Sequence, residues 1–361
     1  MIEKIIAITM WEFSWLERRW PGAGYEDWDK ALDGLKTRGY DAVRIDAFPH
    51  LVAIDPNREW ELMPHWNQQD WGSPAINHIK VQPSLNQFIK KCSDRGIKVA
   101  LSTWFRTDRD NSALLIPSAQ KHAEIWIKTL ETIDNEGLLD NILYVDLCNE
   151  WPLEVWAPFF KTNNPKRSWT SQDSVDWMKT AVETVRKRFP ELKYCFSITN
   201  DFDKWKGVDV SYFDLLELHL WMTQCSDEEF FKRIDYNYER FDSSGYENVV
   251  KYAERLYQSC PDYWLSKLKT GIENLADWAS DVKLPIITTE CWSIVDYKDW
   301  PLLNWGWIKE ICEFGVNEAI NTGKWSAMAT SNFCGPQFHG MWDDIEWHKK
   351  MTNRIHQGVH I

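Results

Sequence analysis

No CxxC pair occurs among the eight cysteines, which stand at 92, 148, 195, 225, 260, 291, 312 and 334. Zinc ribbons and dithiol redox motifs need thiolates at close spacing, so neither is expected. Cys148, Cys195 and Cys291 lie in or beside apolar runs, where a free thiol packs as a small hydrophobe. That usage fits a reducing compartment. No Lys/Arg run offers a polybasic patch, and no apolar stretch approaches the length needed to span a bilayer, so no membrane partner is expected. The net charge of −13 argues against nucleic acid, whose phosphates it would repel. The first residues, MIEKIIAITMWEF, hold too short an apolar stretch for a secretory signal, and no small-residue cleavage site follows. As it stands the chain is expected to be cytoplasmic, unless a signal has been removed. A GxGxxG fingerprint, a low-complexity linker and a short internal repeat are also missing. The first of these absences takes away the anchor of a dinucleotide site.

What the chain has in excess is tryptophan, 24 among 361 residues. Some must serve the core. So many also suggest flat apolar platforms at a cleft, since the C–H faces of sugar rings pack on indole and the indole N–H can meet hydroxyls. Hydrophobic residues make up 44 % of the chain, enough for a sizeable core.

Eight short apolar runs read as buried strands: KIIAITMW, YDAVRIDAF, IKVALSTWF, NILYVDLCN, KYCFSITN, FDLLELHLW, LPIITTE and KWSAMATS. Amphipathic helices fall between most of them. Residues 27–38 place Trp28, Ala31, Leu32 and Leu35 on one face. Residues 84–95 do the same with Leu85, Phe88, Ile89 and Cys92, with Ser84 as N-cap and Gly96 as stop. Residues 172–189 repeat apolar side chains at Val175, Met178, Val182, Val185 and Phe189. The joints RGYDAV, RGIKVA and TGKWSA each end a helix on Gly and start a strand at once. The alternation predicts an α/β fold, a (β/α)8 TIM barrel formed as one domain over residues 1–361. A doubly wound open sheet competes but usually has fewer strands. Two connections are irregular. Strands five and six lie too close for a full helix between them, and a long helical insertion, roughly 223–283, separates strands six and seven.

In such a barrel the active site lies at the C-terminal ends of the strands. Strand four ends at Asn149-Glu150 and strand seven at Glu290. Strand two carries Arg44 and Asp46 on one face, and strand six carries Glu217, His219 and Trp221 on one face. Strand three ends near Trp104 and Arg106. Two carboxyl groups across a pocket are what glycoside hydrolysis needs, one to protonate the leaving oxygen and one to attack the anomeric carbon or activate water. Arg44 is expected to keep Glu290 ionised, and Glu150, near that anion and partly buried, to stay protonated. Asn149 is placed to reach a sugar 2-hydroxyl. Trp104, Trp151, Trp221 and Trp292, each at or just after a strand end, are the expected sugar platforms.

These residues carry a resemblance. The chain looks like a member of glycoside hydrolase clan A, the retaining (β/α)8 enzymes that include the cellulase-like family 5. In that clan an Asn and the acid/base Glu end strand four, and the nucleophile Glu ends strand seven. LYVDLCNE matches the first at Asn149 and Glu150, and PIITTE matches the second at Glu290. VRID offers Arg44 for the arginine that contacts the nucleophile, and ELHLW offers His219 for the histidine of strand six. The resemblance implies a retaining hydrolase of glycosidic bonds, β-linked ones foremost, with a carbohydrate substrate and neither metal nor cofactor. Transglycosylation uses the same intermediate. The chain departs from the family 5 pattern at Trp151, which stands before Pro152 where Pro follows Glu directly. It departs again at Trp221 in place of a Tyr, at Trp104 in place of a His, and at ATSNFCG, which lacks a strand-eight Trp.

Two readings of other classes compete. A metal-dependent sugar isomerase would use Glu150, Glu290, Asp46 and His219 as ligands, with further carboxylates such as Asp201. A non-catalytic carbohydrate-binding barrel would use the tryptophans alone. Glu217, deeper on its strand, is read as a structural partner. The stretch 49–83, with Trp60, Trp66 and Trp71, reads as a long loop that walls off one end of the cleft. Together with the insertion before strand seven it suggests a pocket for a short oligosaccharide or glycoside attacked at its end.

Overall fold

The protein is described by a computed structural model that covers residues 3–65, 71–162, 167–237, 243–297, 299 and 302–360. Eight parallel strands follow one another around a barrel: β1 (Ile6–Glu12), β2 (Ala42–Asp46), β3 (Lys98–Ser102), β4 (Ile142–Asp146), β5 (Tyr194–Cys195), β6 (Leu216–Glu217), β7 (Ile286–Thr288) and β8 (Trp325–Met328). The ladder runs β5-β4-β3-β2-β1-β8-β7-β6, so every strand pairs with its neighbours in sequence. The ring closes between β5 and β6 through a single parallel bridge, Ile198 to Leu218. Leu220–Trp221 and Cys291–Trp292 extend β6 and β7 beyond that ladder as a further parallel pair.

Side chains alternate along each strand, and the barrel interior is stacked accordingly. One apolar layer takes Ile8, Ala42, Ala100, Tyr144, Cys195, Leu215, Ile287 and Ala327, one from each strand position. Two residues further on, toward the C-terminal mouth, the same positions become Arg44, Ser102, Asp146, Ser197, Glu217 and Thr289, all buried. The apolar layer closes the floor, and the polar layer above it is the platform on which a site can stand.

Seven main helices surround the strands: α1 (Trp28–Thr37), α2 (Ser84–Ser93), α3 (Ala119–Asp134), α4 (Gln172–Arg188), α5 (Pro261–Val282), α6 (Gly306–Thr322) and α7 (Ile345–Gln357). Each buries the stripe its sequence pattern marks. In α1 these are Trp28, Ala31, Leu32 and Leu35, and each fully buried Leu stabilises the fold by about 1.5–3 kcal/mol. Asp27 caps α1 by accepting from the Asp29 and Lys30 amides at 2.9 and 3.2 Å. Ser84, expected as the cap of α2, is instead its first residue. Pro83 holds the cap position, and no side chain bonds there. Gly39, Gly96 and Gly323 end α1, α2 and α6 at φ +85°, +65° and +68°, the left-handed turn that lets a strand begin at once. A Cβ at Gly39 would stand 2.5 Å from Thr352 Oγ1, so α7 also needs that glycine.

The connection after β5, residues 196–215, contains no helix, as its length predicts. Between Trp221 and α5 lie short helices at Met222–Cys225, Glu229–Arg233, Ser243–Asn248 and Glu254–Ser259, which form the expected insertion. The stretch 49–83 is more regular than predicted. It holds a helix, Pro49–Ile54, and an antiparallel hairpin of Trp60–Leu62 with Asn77–Ile79. Trp60 and Trp71 are buried, Trp71 against Phe333 and Phe338 beyond β8, so this segment packs onto the rim; Trp66 lies outside the described residues. Among the described residues no helix is long and apolar enough to cross a membrane.

Candidate active site

Arg44 is the centre of the polar layer. Its Nη2 donates to Asp146 Oδ2 at 2.6 Å, Asn149 Oδ1 at 2.7 Å, Ser102 Oγ at 3.0 Å and Ser197 Oγ at 3.3 Å. Its Nη1 donates to Glu290 Oε1 at 3.1 Å and Thr289 Oγ1 at 3.3 Å. The guanidinium also lies over the Trp104 ring, 4.7 Å from its centroid. Burial opposes its charge, but the nearby carboxylates of Asp146, Glu217 and Glu290 more than offset this and bind the proton more firmly. One buried cation therefore ties β2 to β3, β4, β5 and the end of β7.

The strand-four end is bent to aim its side chains inward. Glu150 sits at φ +45°, a conformation that L-residues rarely adopt and that here reverses the chain at the rim. Neighbouring strands hold the bend: the Asn149 amide donates to Thr103 O, the Glu150 amide to Ser197 Oγ at 2.8 Å, and the Trp151 amide to Ser197 O. Asn149 gives its oxygen to Arg44, and its buried Nδ2 has no partner, a donor free for a ligand.

His219 joins the two rim carboxyls. Its Nδ1 lies 3.1 Å from Glu150 Oε1 and 3.6 Å from Glu290 Oε1, and its Nε2 lies 3.5 Å from Glu217 Oε1. Trp156 Nε1 donates to Glu150 Oε2 at 2.9 Å. The Glu150 and Glu290 side chains are each only 12 % exposed. One donor atom from each of Glu150, His219 and Glu290 falls within 4.8 Å of the others.

The charge distribution inverts the sequence expectation. Burial raises the Glu290 carboxyl, His219 pulls it back, the Glu150 charge adds to the rise, and Arg44 opposes it; the result is about 7. Burial pushes Glu150 the same way, but the His219 hydrogen bond and charge, Trp156 and Arg44 outweigh it and hold Glu150 below the usual carboxylate range. The physical reason is the shorter distance from His219 to Glu150. His219 is itself raised to about 10: burial opposes its charge, and Glu290, Glu150 and Glu217 overcome that opposition.

The expected platforms divide into two groups. Trp104 stands beside Arg44, and the Trp221 ring lies 6.1 Å from that of His219 with its buried Nε1 unpartnered. Both belong to the mouth. Trp151 and Trp292 do not. Trp151 turns outward onto Phe160, Trp177 and Phe196, with Nε1 donating to Ser174 Oγ at 2.6 Å, because the strand-four bend sends consecutive side chains to opposite sides. Trp292 packs against Trp325 and onto Gly315 of α6, with Nε1 bonded to Ala329 O at 3.0 Å. Both Asp46 oxygens are taken up by the backbone, accepting from the Phe48 and Trp104 amides. Asp201 is tied to Ser168 and Lys204. The wider carboxylate set of the isomerase reading is therefore not assembled, although Glu150, His219 and Glu290 alone offer three ligand atoms.

Residues 8–356 match the profile of a family described as sugar-binding cellulase-like. The chain belongs to that cellulase-like family. A solved structure from Parabacteroides distasonis, named provisionally as a glycoside hydrolase, is 51 % identical, with TM-score 0.97 over all of this chain and 96 % of that one. The endo-β-1,4-mannanase of Thermotoga petrophila superposes with TM-score 0.54 at 12 % identity, over 98 % of this chain and 77 % of its own. A cellulase in an inhibitor complex gives 0.54 at 13 %, over 96 % and 92 %. These two share the (β/α)8 fold. No curated protein matches.

Several residues of the candidate site escaped the sequence reading. Asp146 binds Arg44, Ser102 and Ser197 and carried one signal, its inward phase two residues after Tyr144. Trp156 carried none, because only the fold of the loop after Pro152 brings it to Glu150. Glu12, at the end of β1, is buried and accepts from Ser14. Burial raises it to about 8.

Proposed function

We propose that the protein is a retaining glycoside hydrolase acting on short β-glycosides and oligosaccharides, with Glu290 as nucleophile and Glu150 as acid/base. The observation that carries this reading is the pair of rim carboxyls, one oxygen of each lying within 4.8 Å of an oxygen of the other. Retaining pairs stand about 5–5.5 Å apart, whereas inverting pairs leave about 6.5–9.5 Å for a water.

Glu290 attacks the anomeric carbon while Glu150 protonates the departing oxygen. Arg44 stabilises the carboxylate that attacks. Once Glu290 is esterified its charge is gone, and Glu150 deprotonates the water that releases the sugar. The free Asn149 Nδ2 suits the sugar 2-hydroxyl, a contact that tightens in the transition state. Trp104 and Trp221 offer apolar faces beside the reacting centre. The small exposure of both carboxyls supports a pocket for a chain end over an open groove.

A panel of aryl glycosides and oligosaccharides tests the reading. Glu290→Gln should nearly abolish turnover of every substrate. Glu150→Ala should spare activated aryl glycosides, and added azide should partly rescue it, giving the β-azide from a β-glycoside. Equal losses across leaving groups with no rescue would remove Glu150 from the acid role.

A further inference from the structure

The end of β1 carries a second polar cluster, apart from the contacts around Arg44. The ladder of β1 with β2 runs in step to Met10 and then slips, so that Glu12 stands opposite Ile45. Glu12 takes φ +32°, a left-handed conformation that costs a non-glycine residue energy. An irregularity of this kind at a strand end re-aims the side chain it carries. Here it delivers a carboxyl that is 1 % exposed. The Ser14 hydroxyl donates to Oε1, and Oε2 has no partner. Burial raises this carboxyl to about 8; the Ser14 hydrogen bond and Arg18 oppose the rise, and Glu290 and Glu17 add to it. Glu12 thus feels the charge of the rim pair.

Two further buried atoms are left over beside it. Gln337, in the loop after β8, offers Oε1 to the Tyr25 hydroxyl at 2.6 Å, which fixes the amide and leaves Nε2 without a partner. Arg18 directs Nη1 to Gly72 O at 3.1 Å and leaves Nε without one. Burial raises the Tyr25 hydroxyl, Glu12 adds to the rise, and Arg18 opposes it. Glu12, Arg18 and Gln337 therefore gather around one hydroxyl. The loop is pinned to β1 by Cys334 O, which accepts from Thr9 Oγ1 at 2.8 Å and Trp11 Nε1 at 3.2 Å. A Cβ at Gly335 would collide with Gln337 Oε1 and the Tyr25 hydroxyl, so the glycine is needed where the amide is held.

Buried polar atoms are nearly always paired, and a native exception calls for a reason. Three exceptions meet here: a carboxyl oxygen, an amide N–H group and a guanidinium N–H. Sugar hydroxyls both donate and accept, so two neighbouring ones can satisfy such a set. An apolar ligand would leave all three unpaired, and a carboxylated sugar would meet the Glu12 carboxyl. In the eight-stranded ring β1 and β8 lie across from β5 and β4. The leaving group departs on the side of Glu150, at the end of β4, so the β1–β8 side faces the sugar that stays on Glu290.

We infer that Glu12 and Gln337, with Arg18 beside them, bind adjacent hydroxyls of the retained, neutral sugar and so set which glycosides fit. The inference rests on the roles proposed above for Glu150 and Glu290.

Tryptophan fluorescence of the full chain tests it by following the binding of methyl β-glucoside, methyl β-mannoside and methyl β-galactoside, and of the 3-, 4- and 6-deoxy forms of whichever binds best. Glu12→Met nearly keeps the volume and removes the polar atoms. It should weaken binding of the parent sugar by about tenfold or more. One deoxy sugar should show the same loss on the wild type and no further loss on the variant, the mark of a direct contact. Gln337→Leu should do likewise for that hydroxyl or its neighbour. The melting temperature of Glu12→Met should not fall, because an unpaired buried oxygen is removed with the side chain. A merely structural Glu12 would instead lower the melting temperature and leave the deoxy pattern unchanged. No binding of any of the three glycosides by the wild type, or equal deoxy losses in wild type and variants, would overturn the inference. If Glu12→Met does not fold, Gln337→Leu decides. Binding needs no turnover, so a failure of the hydrolase reading would show separately, as this deoxy pattern without hydrolysis across the panel.

Discussion

Replacing Arg44 by Met removes the cation from the polar layer while nearly keeping its volume. Asp146 at 2.6 Å and Glu290 at 3.1 Å lose their counter-charge, and Asn149, Ser102, Ser197 and Thr289 each lose a donor. Breaking a buried pair by deleting one partner costs about 3–5 kcal/mol. At about 2.1 cal/mol/K per residue the unfolding entropy of this 361-residue chain is near 0.8 kcal/mol/K, so the melting temperature should fall by about 4–7 °C. The acid limb of kcat/KM should shift as well. Arg44 lowers the Glu290 carboxyl, so its loss raises Glu290 further above 7, and the enzyme should lose more activity at pH 6 than at pH 8. Arg44→Lys should fall between, since one ammonium cannot span acceptors on four strands. Thermal melts and pH–rate profiles measure both effects. A drop in melting temperature below about 1 °C, with an unmoved acid limb, would refute the central role given to this residue.

Trp151→Ala should lower stability by about 3–5 kcal/mol while leaving KM unchanged in whatever fraction stays folded, because its ring lies in the α4 layer and not in the mouth; denaturant melts with kinetics check it. Stability should be greatest near pH 6–7. Glu290 at about 7, Glu12 at about 8 and His219 at about 10 lie above their unfolded values, so their contribution is lost as pH rises through those values. Buried His50 and His122, both near 4, lie below theirs, so their contribution is lost as pH falls from 6.5 toward 4. Melts across pH 4–10 would contradict this by peaking above pH 9. A time course on oligosaccharides should release one small sugar early; an early ladder of mid-length products would reject the pocket.

The barrel was legible because its signals are local. Strand runs, amphipathic helices and the Gly joints each depend on a few consecutive residues, and the strand-end motifs locate Asn149, Glu150 and Glu290 once the strands are counted. What the sequence did not disclose depends on angles and distances. The outward turn of Trp151 follows from the φ of Glu150. Trp292 faces α6 because Gly315 leaves room for it. The opposite directions in which the two rim carboxyls are shifted go with His219 lying 3.1 Å from Glu150 and 3.6 Å from Glu290. Position in the chain says nothing about such differences.

Among the described residues the barrel is joined between β5 and β6 by three backbone hydrogen bonds, Asp214 N–H to Tyr194 O, Ile198 N–H to Glu217 O and His219 N–H to Ile198 O, at 3.0, 3.0 and 2.9 Å. By contrast β2 and β3 are in register over five residue pairs. Amide exchange is fastest where a ladder is thin, so the Ile198 and His219 amides near the mouth should exchange ahead of those in β2 and β3. One of them belongs to His219 itself. A sugar that bridges Glu150, His219 and Glu290 would hold the seam shut, and its binding would be visible as slowed exchange at Ile198 and His219. The weakest join in the barrel thus supplies a binding readout that works for any candidate ligand, whether or not it is turned over.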